Sequence, residues 1–112
     1  MKEIKAYIKT IKLDAVTRAL HQIDRLDGAS YTKVLGFGRG KEASSGLSPD
    51  DDITGSSKHV KIEVVCEDLL EEIVVQAIHK AAHTGLRGDG QIFISDITRS
   101  VRIQNPITYP KR

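Results

Sequence analysis

Hydrophobic and polar residues alternate with a period of two along residues 4–9, where Ile4, Ala6 and Ile8 are separated by lysine and tyrosine. This alternation predicts a strand with one buried face. Three further segments have the composition and flanking turn residues of strands. They are residues 30–35, 59–65 and 91–96.

Two segments between these strands carry apolar residues at helical spacing. The first, residues 13–23, repeats an apolar residue every three or four positions with charges opposite, which predicts an amphipathic helix. The second is preceded by Asp68, a residue type that caps helices. The predicted apolar positions of the two helices are Leu13, Val16, Leu20 and Ile23, and then Ile73, Val74, Ala77, Ile78 and Ala81.

The element order is therefore strand, helix, strand, loop, strand, helix, strand, with one more short strand predicted at 100–103. This order predicts an α+β, ferredoxin-like βαββαβ fold, in which two helices cover one face of an antiparallel sheet. The chain of 112 residues suits a single domain, 1–112. Because it has no second layer for the other sheet face, we expect copies of the chain to cover that face for one another.

The segment between the second and third strands, residues 36–58, has no apolar periodicity and is rich in glycine, serine and aspartate. Structureless loops of this length are uncommon in small domains and are usually functional or disordered. The segment is therefore expected to be either functional or disordered.

Composition narrows the function classes. The core must be aliphatic, since the chain has three Tyr, two Phe and no Trp. A net charge of +2, with acids and bases interspersed, argues against nucleic-acid binding. Cys66 is the only cysteine, which indicates a reducing compartment, and no apolar run approaches the 18 residues of a membrane span. We therefore expect a cytoplasmic protein.

Two glycine-rich segments with arginine suggest an anion site. Residues 83–91, His-Thr-Gly-Leu-Arg-Gly-Asp-Gly-Gln, precede the fourth strand, and residues 36–41, Gly-Phe-Gly-Arg-Gly-Lys, follow the second. Backbone N–H groups of such segments approach phosphates closely. The alternatives are an ordinary helix-to-strand connection at 83–91 and a flexible hinge at 36–41.

Three other groups of residues have weaker support as candidate sites. Residues 50–52 are three aspartates and could bind a hard cation together with His59, but the spacing of a calcium loop is absent and a solvated loop is favoured. Zinc spacing is absent among the histidines, so surface histidines are expected at His21, His79 and His83. Cys66 has no activating neighbour in the sequence, which favours a packed thiol.

Several of these stretches together resemble the PII signal-transduction family. The resemblance covers about residues 1–104, in the family's order and spacing. It is carried by Ile4–Leu20, Gly36–Arg39, Val60–Glu63, Thr84–Gly85, Gly88–Phe93 and Arg102.

The resemblance implies a homotrimer of ferredoxin-like subunits that binds an adenine nucleotide, ADP, AMP or ATP, in the clefts between subunits. Residues 36–58 match the family's T-loop, 83–91 its B-loop and 100–105 its C-loop. The nucleotide-binding residues implied are Ile8, Gly28, Ser30, Gly36, Phe37, Gly38, Arg39, Glu63, Val65, Thr84, Gly85, Arg87, Gly88, Asp89, Gly90, Gln91 and Arg102. Ile8 and Val65 would line the adenine pocket.

The sequence departs from the family pattern at several ligand positions. Gly40 stands where members usually carry the glutamine that helps to hold the Mg²⁺ of 2-oxoglutarate, and the 36–58 loop has no tyrosine for uridylylation. Gln91 and Gln104 replace cations that meet polyphosphate, and His59 replaces a lysine. We expect weak 2-oxoglutarate binding and a preference for ADP or AMP.

These features predict a ligand sensor rather than an enzyme, with no cofactor. Nucleotide occupancy would change how residues 37–57 bind a protein partner, for example a membrane transporter in inorganic-carbon, nitrogen or metal handling, to which the protein would be recruited. A small anion such as bicarbonate would lie near Arg39, Gly40 and Lys41. The rival interpretations are a slow ATPase and a metal-binding trimer of the copper-tolerance type.

Overall fold

The structure is a computed structural model, and it describes residues 1–35 and 58–107. Predictions for residues 36–57 fall outside these ranges and stay predictions; they concern the second glycine-rich segment, the three aspartates and most of the long loop. Within the described residues, no helix is long and apolar enough to cross a membrane.

The elements follow the predicted order. They are β1 (Lys2–Lys9), α1 (Leu13–His21), β2 (Ala29–Val34), β3 (His59–Cys66), α2 (Glu71–Ala82) and β4 (Gly90–Asp96). A short 3-10 turn precedes each helix, at Thr10–Lys12 and Asp68–Leu70.

The four strands of the described residues form one sheet in the order β2-β3-β1-β4, and all three neighbouring pairs are antiparallel. Strand β1 lies at the centre beside β3, while β2 and β4 are the two edges. This arrangement confirms the predicted ferredoxin-like fold.

The alternation along β1 and β3 builds the core. Ile4, Ala6 and Ile8 of β1 are at most 2% exposed, and they face α1 and α2 together with the inward residues of β3. Full burial of one aliphatic side chain stabilises the fold by about 1.5–3 kcal/mol. The helices complete the core with Val16, Leu20, Leu70, Val74, Ile78 and Ala82.

Helix α2 differs from its prediction at both its start and its buried face. The Asp68 side chain does not cap the helix; it accepts a hydrogen bond from the N-terminal ammonium of Met1, which lowers the pKa of the Asp68 carboxyl. The helix buries Val74, Ile78 and Ala82, and Leu70 of the preceding 3-10 turn continues the same stripe, whose members are four residues apart. Ile73 therefore faces outward and is 53% exposed.

The predicted extra strand at residues 100–103 is wrong. Residues 101–107 contain no strand in the described structure, and the backbone N–H of Asn105 donates to the carbonyl of Arg102 at 3.2 Å to close a turn. Alternating apolar residues form a strand only where another strand lies beside them to bond the backbone.

The sheet face opposite the helices carries apolar surface. Tyr7 and Phe93 meet edge to face across β1 and β4, with ring centroids 6.0 Å apart. Phe93 and Val65 are nevertheless 49% and 47% exposed. Within the described part of the chain no element lies over this face, as the sequence predicted.

Gly90 is required by the close approach of β4 to β1. It pairs with Ile8, its φ is +106°, and a Cβ at this position would lie 1.7 Å from the carbonyl oxygen of Tyr7. Any other residue would have to separate the two strands. A packing requirement between strands thus explains Gly90 independently of any ligand.

We predict that Gly90→Ala lowers the free energy of unfolding by more than about 3 kcal/mol, because backbone strain alone reaches that size and the overlap with Tyr7 adds to it. Gly85→Ala is the matched control, since Gly85 also has a positive φ, +80°, but a Cβ there meets only the His83 ring at 3.7 Å. Its expected cost is about 1–2 kcal/mol. Urea unfolding of both variants measures the difference, and equal losses would contradict the role assigned to Gly90.

Candidate functional site

The glycine-rich connection between α2 and β4, residues 84–90, forms a compact loop that we call the 84–90 loop. Gly85 and Gly88 have φ values of +80° and +82°, in the left-handed region that favours glycine. A Cβ at Gly88 would meet only the ends of Lys9 and His59, at 3.9 and 4.0 Å. Backbone conformation, rather than crowding, therefore explains Gly88.

The carboxylate of Asp89 organises this loop from within. One oxygen accepts the backbone N–H groups of Thr84 and Gly85, both at 2.8 Å. The other accepts the Thr84 hydroxyl. The hydrogen bonds from Thr84, followed by those from Gly85 and Lys9, hold the pKa of the Asp89 carboxyl far below its usual range.

Lys9, the last residue of β1, neutralises that carboxylate. Its ammonium lies 3.2 Å from Asp89 Oδ1 and 3.3 Å from the Thr84 hydroxyl oxygen. The Lys9 side chain is only 19% exposed, so the ion pair is partly shielded from water. The loop therefore contains an aspartate without presenting an uncompensated negative charge to an anion.

His59, the first residue of β3, holds the other side of the loop. Its Nε2 lies 2.7 Å from the carbonyl oxygen of Gly88. A carbonyl only accepts, so Nε2 carries the proton and donates. Lys9 and His59 are cross-strand partners, and together they fix the loop to the end of the two central strands.

These bonds restrict which loop amides could meet a ligand. The N–H groups of Thr84 and Gly85 donate to Asp89, and that of Leu86 donates to the Thr84 hydroxyl oxygen at 3.1 Å. Backbone donation to an anion would therefore have to come from residues 87–90. Thr84, Gly85 and the Asp89 carboxylate thus shape the loop, and the contact of these three residues with a nucleotide stays a prediction.

A second group of predicted site residues lies on the uncovered sheet face. Ser30 and Glu63 are cross-strand partners, and Val65 follows two residues further along the same face of β3. Glu63 forms an ion pair with Lys61 at 3.2 Å. Strand geometry places Glu63 about 13 Å and Val65 about 20 Å along β3 from His59, so this group and the 84–90 loop are separate in one chain.

The adenine pocket of Ile8 and Val65, which the resemblance places between subunits, stays a prediction. The Ile8 side chain is 2% exposed and belongs to the core, whereas Val65 points to the opposite sheet face. The two side chains cannot enclose one ring within a single chain. Ile8 borders the loop only through its backbone, which pairs with Gly90.

The remaining predicted residues are dispersed. Gly28 lies beside a cavity of about 250 Å³ between α1 and β2, at the end of the sheet remote from the 84–90 loop. Arg87, Gln91 and Arg102 are exposed. The others lie outside the described residues: Gly36, Phe37, Gly38, Arg39, Gly40 and Lys41.

The isolated histidines and the cysteine match their predictions. His21, His79 and His83 are exposed, and the last two stack with ring centroids 5.3 Å apart. Cys66 is 5% exposed, and burial raises the pKa of its thiol. Among residues 1–35 and 58–107, no three His, Cys, Asp or Glu side chains converge as a metal site would need.

Sequence reasoning missed Lys9 as a loop residue. In the sequence Lys9 is only the last lysine of an alternating strand, and a lysine at such a position is expected to point into solvent. Its partners Thr84 and Asp89 are 75 and 80 residues away in the chain. Only the pairing of β1 with β4 brings them together.

We predict that Asp89→Asn destabilises the protein at pH 7 and that the loss shrinks as the pH falls below about 4. The folded-state pKa of Asp89 is lowered, so its contribution is complete above the unfolded-state pKa and is lost as acid protonates the carboxyl. Urea unfolding from pH 7 to pH 3 measures the difference. The exposed Asp24→Asn is the control, and a penalty for Asp89→Asn that persists unchanged to pH 3 would contradict the prediction.

Comparison with known proteins identifies the family. The model of the family described as Nitrogen regulatory protein P-II matches residues 1–106. Proteins of that name from Azospirillum brasilense and Rhodospirillum rubrum are each 43% identical over 104 residues, covering 93% of this chain and 92% of the relative. The protein of that name from Bradyrhizobium diazoefficiens is 42% identical with the same coverage. The chain therefore belongs to the P-II family of nitrogen regulatory proteins.

Proposed function

We propose that the protein binds an adenine nucleotide and uses its occupancy to regulate a protein partner. The observation that carries this proposal is the 84–90 loop, whose single carboxylate is neutralised by Lys9 and held by internal hydrogen bonds. A loop that is ordered before binding loses little entropy when an anion arrives. Residues 87–90, with the guanidinium of Arg87, are then the donors for the phosphates.

The two groups of site residues favour a site shared between copies. One copy would supply the 84–90 loop, and a neighbour would supply Ser30, Glu63 and Val65 from its uncovered sheet face. Such an interface uses different surfaces on the two partners, and it closes into a ring when the rotation allows. Among the described residues β2 and β4 are the edges of the sheet and Phe93 is exposed, which supports this arrangement. The family resemblance makes the ring a trimer.

Regulation would act through residues 37–57, which lie between β2 and β3 in the sequence. The relatives' name, Nitrogen regulatory protein P-II, supports nitrogen handling as the context of the partner. A membrane transporter in nitrogen, inorganic-carbon or metal handling is the partner class we propose, with the protein recruited to it from the cytoplasm. A small anion such as bicarbonate at Arg39, Gly40 and Lys41 is the effector proposed from the sequence.

Membership of the P-II family makes the protein a signalling regulator rather than an enzyme. The slow ATPase alternative would need a group that orients water and a well-held metal. Gly40 has no side-chain oxygen to bind a metal, and Gln91 carries no positive charge. Neither this alternative nor a metal-binding trimer is favoured by the family match. Phosphate release from the purified protein would measure any ATPase activity directly.

We predict a trimer in solution, with a mass three times the 12.3 kDa of the chain. Phe93→Glu would place a charge on the exposed apolar sheet face and convert the trimer to monomers at micromolar concentration. Ile11→Glu is the control, because Ile11 is 82% exposed in the turn before α1, away from that face. Light scattering measures both variants, and a monomeric wild-type protein would contradict the shared site.

We predict that ATP binds no more than about tenfold more tightly than ADP, a difference of about 1.4 kcal/mol. Charge-assisted hydrogen bonds contribute about 1.5–3 kcal/mol each, and Gln91 and Gln104 lack the cations that would meet an outer phosphate. Calorimetric titrations with AMP, ADP and ATP measure the order of affinities.

The double variant Gln91→Lys and Gln104→Arg should shift this preference toward ATP. The pair Gln22→Lys and Gln76→Arg adds the same charge on the helices and serves as the control. Wild-type protein that binds ATP more than tenfold tighter than ADP, or an equal shift in the control, would show that the missing cations do not set the preference.

A further inference from the structure

His59 connects two parts of the molecule that are distant in sequence. His59 is the first residue of β3. Its Nε2 donates at 2.7 Å to the carbonyl of Gly88, 29 residues away in the chain. Directly beside it, the N–H of Thr10 donates to the carbonyl of Lys58 at 2.8 Å. This backbone bond joins the start of β3 to the end of β1, so the imidazole is attached to a fixed part of the sheet.

The bond to His59 determines how the following peptide is oriented. The peptide between Gly88 and Asp89 is planar and trans, so its N–H points opposite to its C=O. Because the Gly88 carbonyl points toward β3, the N–H of Asp89 points away from β3. This N–H belongs to residues 87–90, the part of the loop whose amides are not used by Asp89 or Thr84.

Without such a bond this peptide could rotate. Gly88 has no Cβ, and a Cβ added there would meet no atom closer than 3.9 Å. Glycine is also the residue with the greatest backbone freedom. The Asp89 carboxylate fixes the first half of the loop, through Thr84 and Gly85, and Gly90 fixes its end against Tyr7. The Gly88–Asp89 peptide lies between these two fixed points.

We propose that His59 is a positioning residue for anion recognition: its Nε2–H holds the Gly88 carbonyl so that the Asp89 N–H faces the phosphate of a nucleotide. This inference rests on the proposed function for the identity of the ligand. The loop conformation itself is a property of the protein without ligand and can be measured alone.

Two substitutions separate the hydrogen bond from the bulk of the ring. His59→Phe keeps an aromatic ring and removes the donor. His59→Gln keeps an N–H donor at a similar distance from the backbone. A cooperative urea transition in both variants shows that the fold is intact. The midpoint of His59→Phe should fall by no more than one lost hydrogen bond explains, and the remaining measurements then report on the loop.

The first measurement needs no ligand. Trypsin cleaves after Arg87, within the loop, and mass spectrometry compares that cleavage with the cleavage after Lys80 in α2. We expect His59→Phe to raise the relative rate after Arg87 about tenfold, the size expected for one hydrogen bond. His59→Gln should stay within about threefold of wild type. An unchanged rate in His59→Phe, or equal acceleration in both variants, would overturn the proposal.

The second measurement is ADP affinity by calorimetry, with the same expected pattern: about tenfold weaker binding for His59→Phe and near wild-type binding for His59→Gln. If wild type binds no nucleotide while the cleavage pattern holds, the proposed function fails and the role of His59 in loop positioning stands. If wild type binds ADP and His59→Phe binds it equally well, the inference fails and the proposed function stands.

Discussion

The candidate site depends on one carboxylate. Asp89 accepts two backbone N–H groups and a hydroxyl, and it pairs with the ammonium of Lys9. A segment with three glycines would otherwise lose a large conformational entropy on folding. Hydrogen bonds to an ionised acceptor are about twice as strong as neutral ones. Here three donor groups come from two loop residues, Thr84 and Gly85, and a fourth comes from Lys9 of β1. The aspartate thus converts a flexible composition into a defined loop.

Strand β1 connects this loop to the core. Its inward residues, such as Ile4 and Ile8, are buried against the helices, while the outward Lys9 reaches Asp89 and the backbone of Tyr7 meets Gly90. Period-two alternation therefore places a core contact and a loop contact on neighbouring residues of one strand. A shift of β1 by one residue would bury Lys9 and expose Ile8, so core packing also fixes the register on which the loop depends.

The sequence was sufficient for the fold because local patterns and the final sheet agree. The alternation in β1 and β3 and the helical spacing in α1 appear in the structure with ends displaced by a residue or two. The predictions that were wrong concern residues whose structure depends on partners remote in the chain. Asp68 has the composition of a cap, but the ammonium of Met1, 67 residues away, is its partner. Residues 100–103 alternate like a strand, yet no strand of the described structure lies beside them.

The difference between local patterns and remote partners also explains which parts of the candidate site could be predicted from the sequence. Glycine spacing revealed the 84–90 loop, since left-handed backbone at Gly85 and Gly88 requires that residue type. Lys9 and the bond from His59 to Gly88 depend on how β1, β3 and β4 come together, which no short motif encodes. Likewise, the resemblance assigns Ile8 and Val65 to one pocket, and the strand alternation that places their side chains on opposite faces of one sheet becomes visible only in the structure.

A site that is divided between two copies of the chain would have a thermodynamic consequence. A ligand contacted by the 84–90 loop of one copy and by Ser30, Glu63 and Val65 of another binds the assembled protein better than the separate chain. By linkage, it stabilises the assembly by RT ln(1 + [L]/Kd), about 2.7 kcal/mol at a ligand concentration one hundred times Kd. The coupling is reciprocal, so each interface that forms also raises the affinity for ligand. In the proposed ring, the loop built on β1 and the second group on β2 and β3 would belong to one sheet, so each copy would take part in two sites.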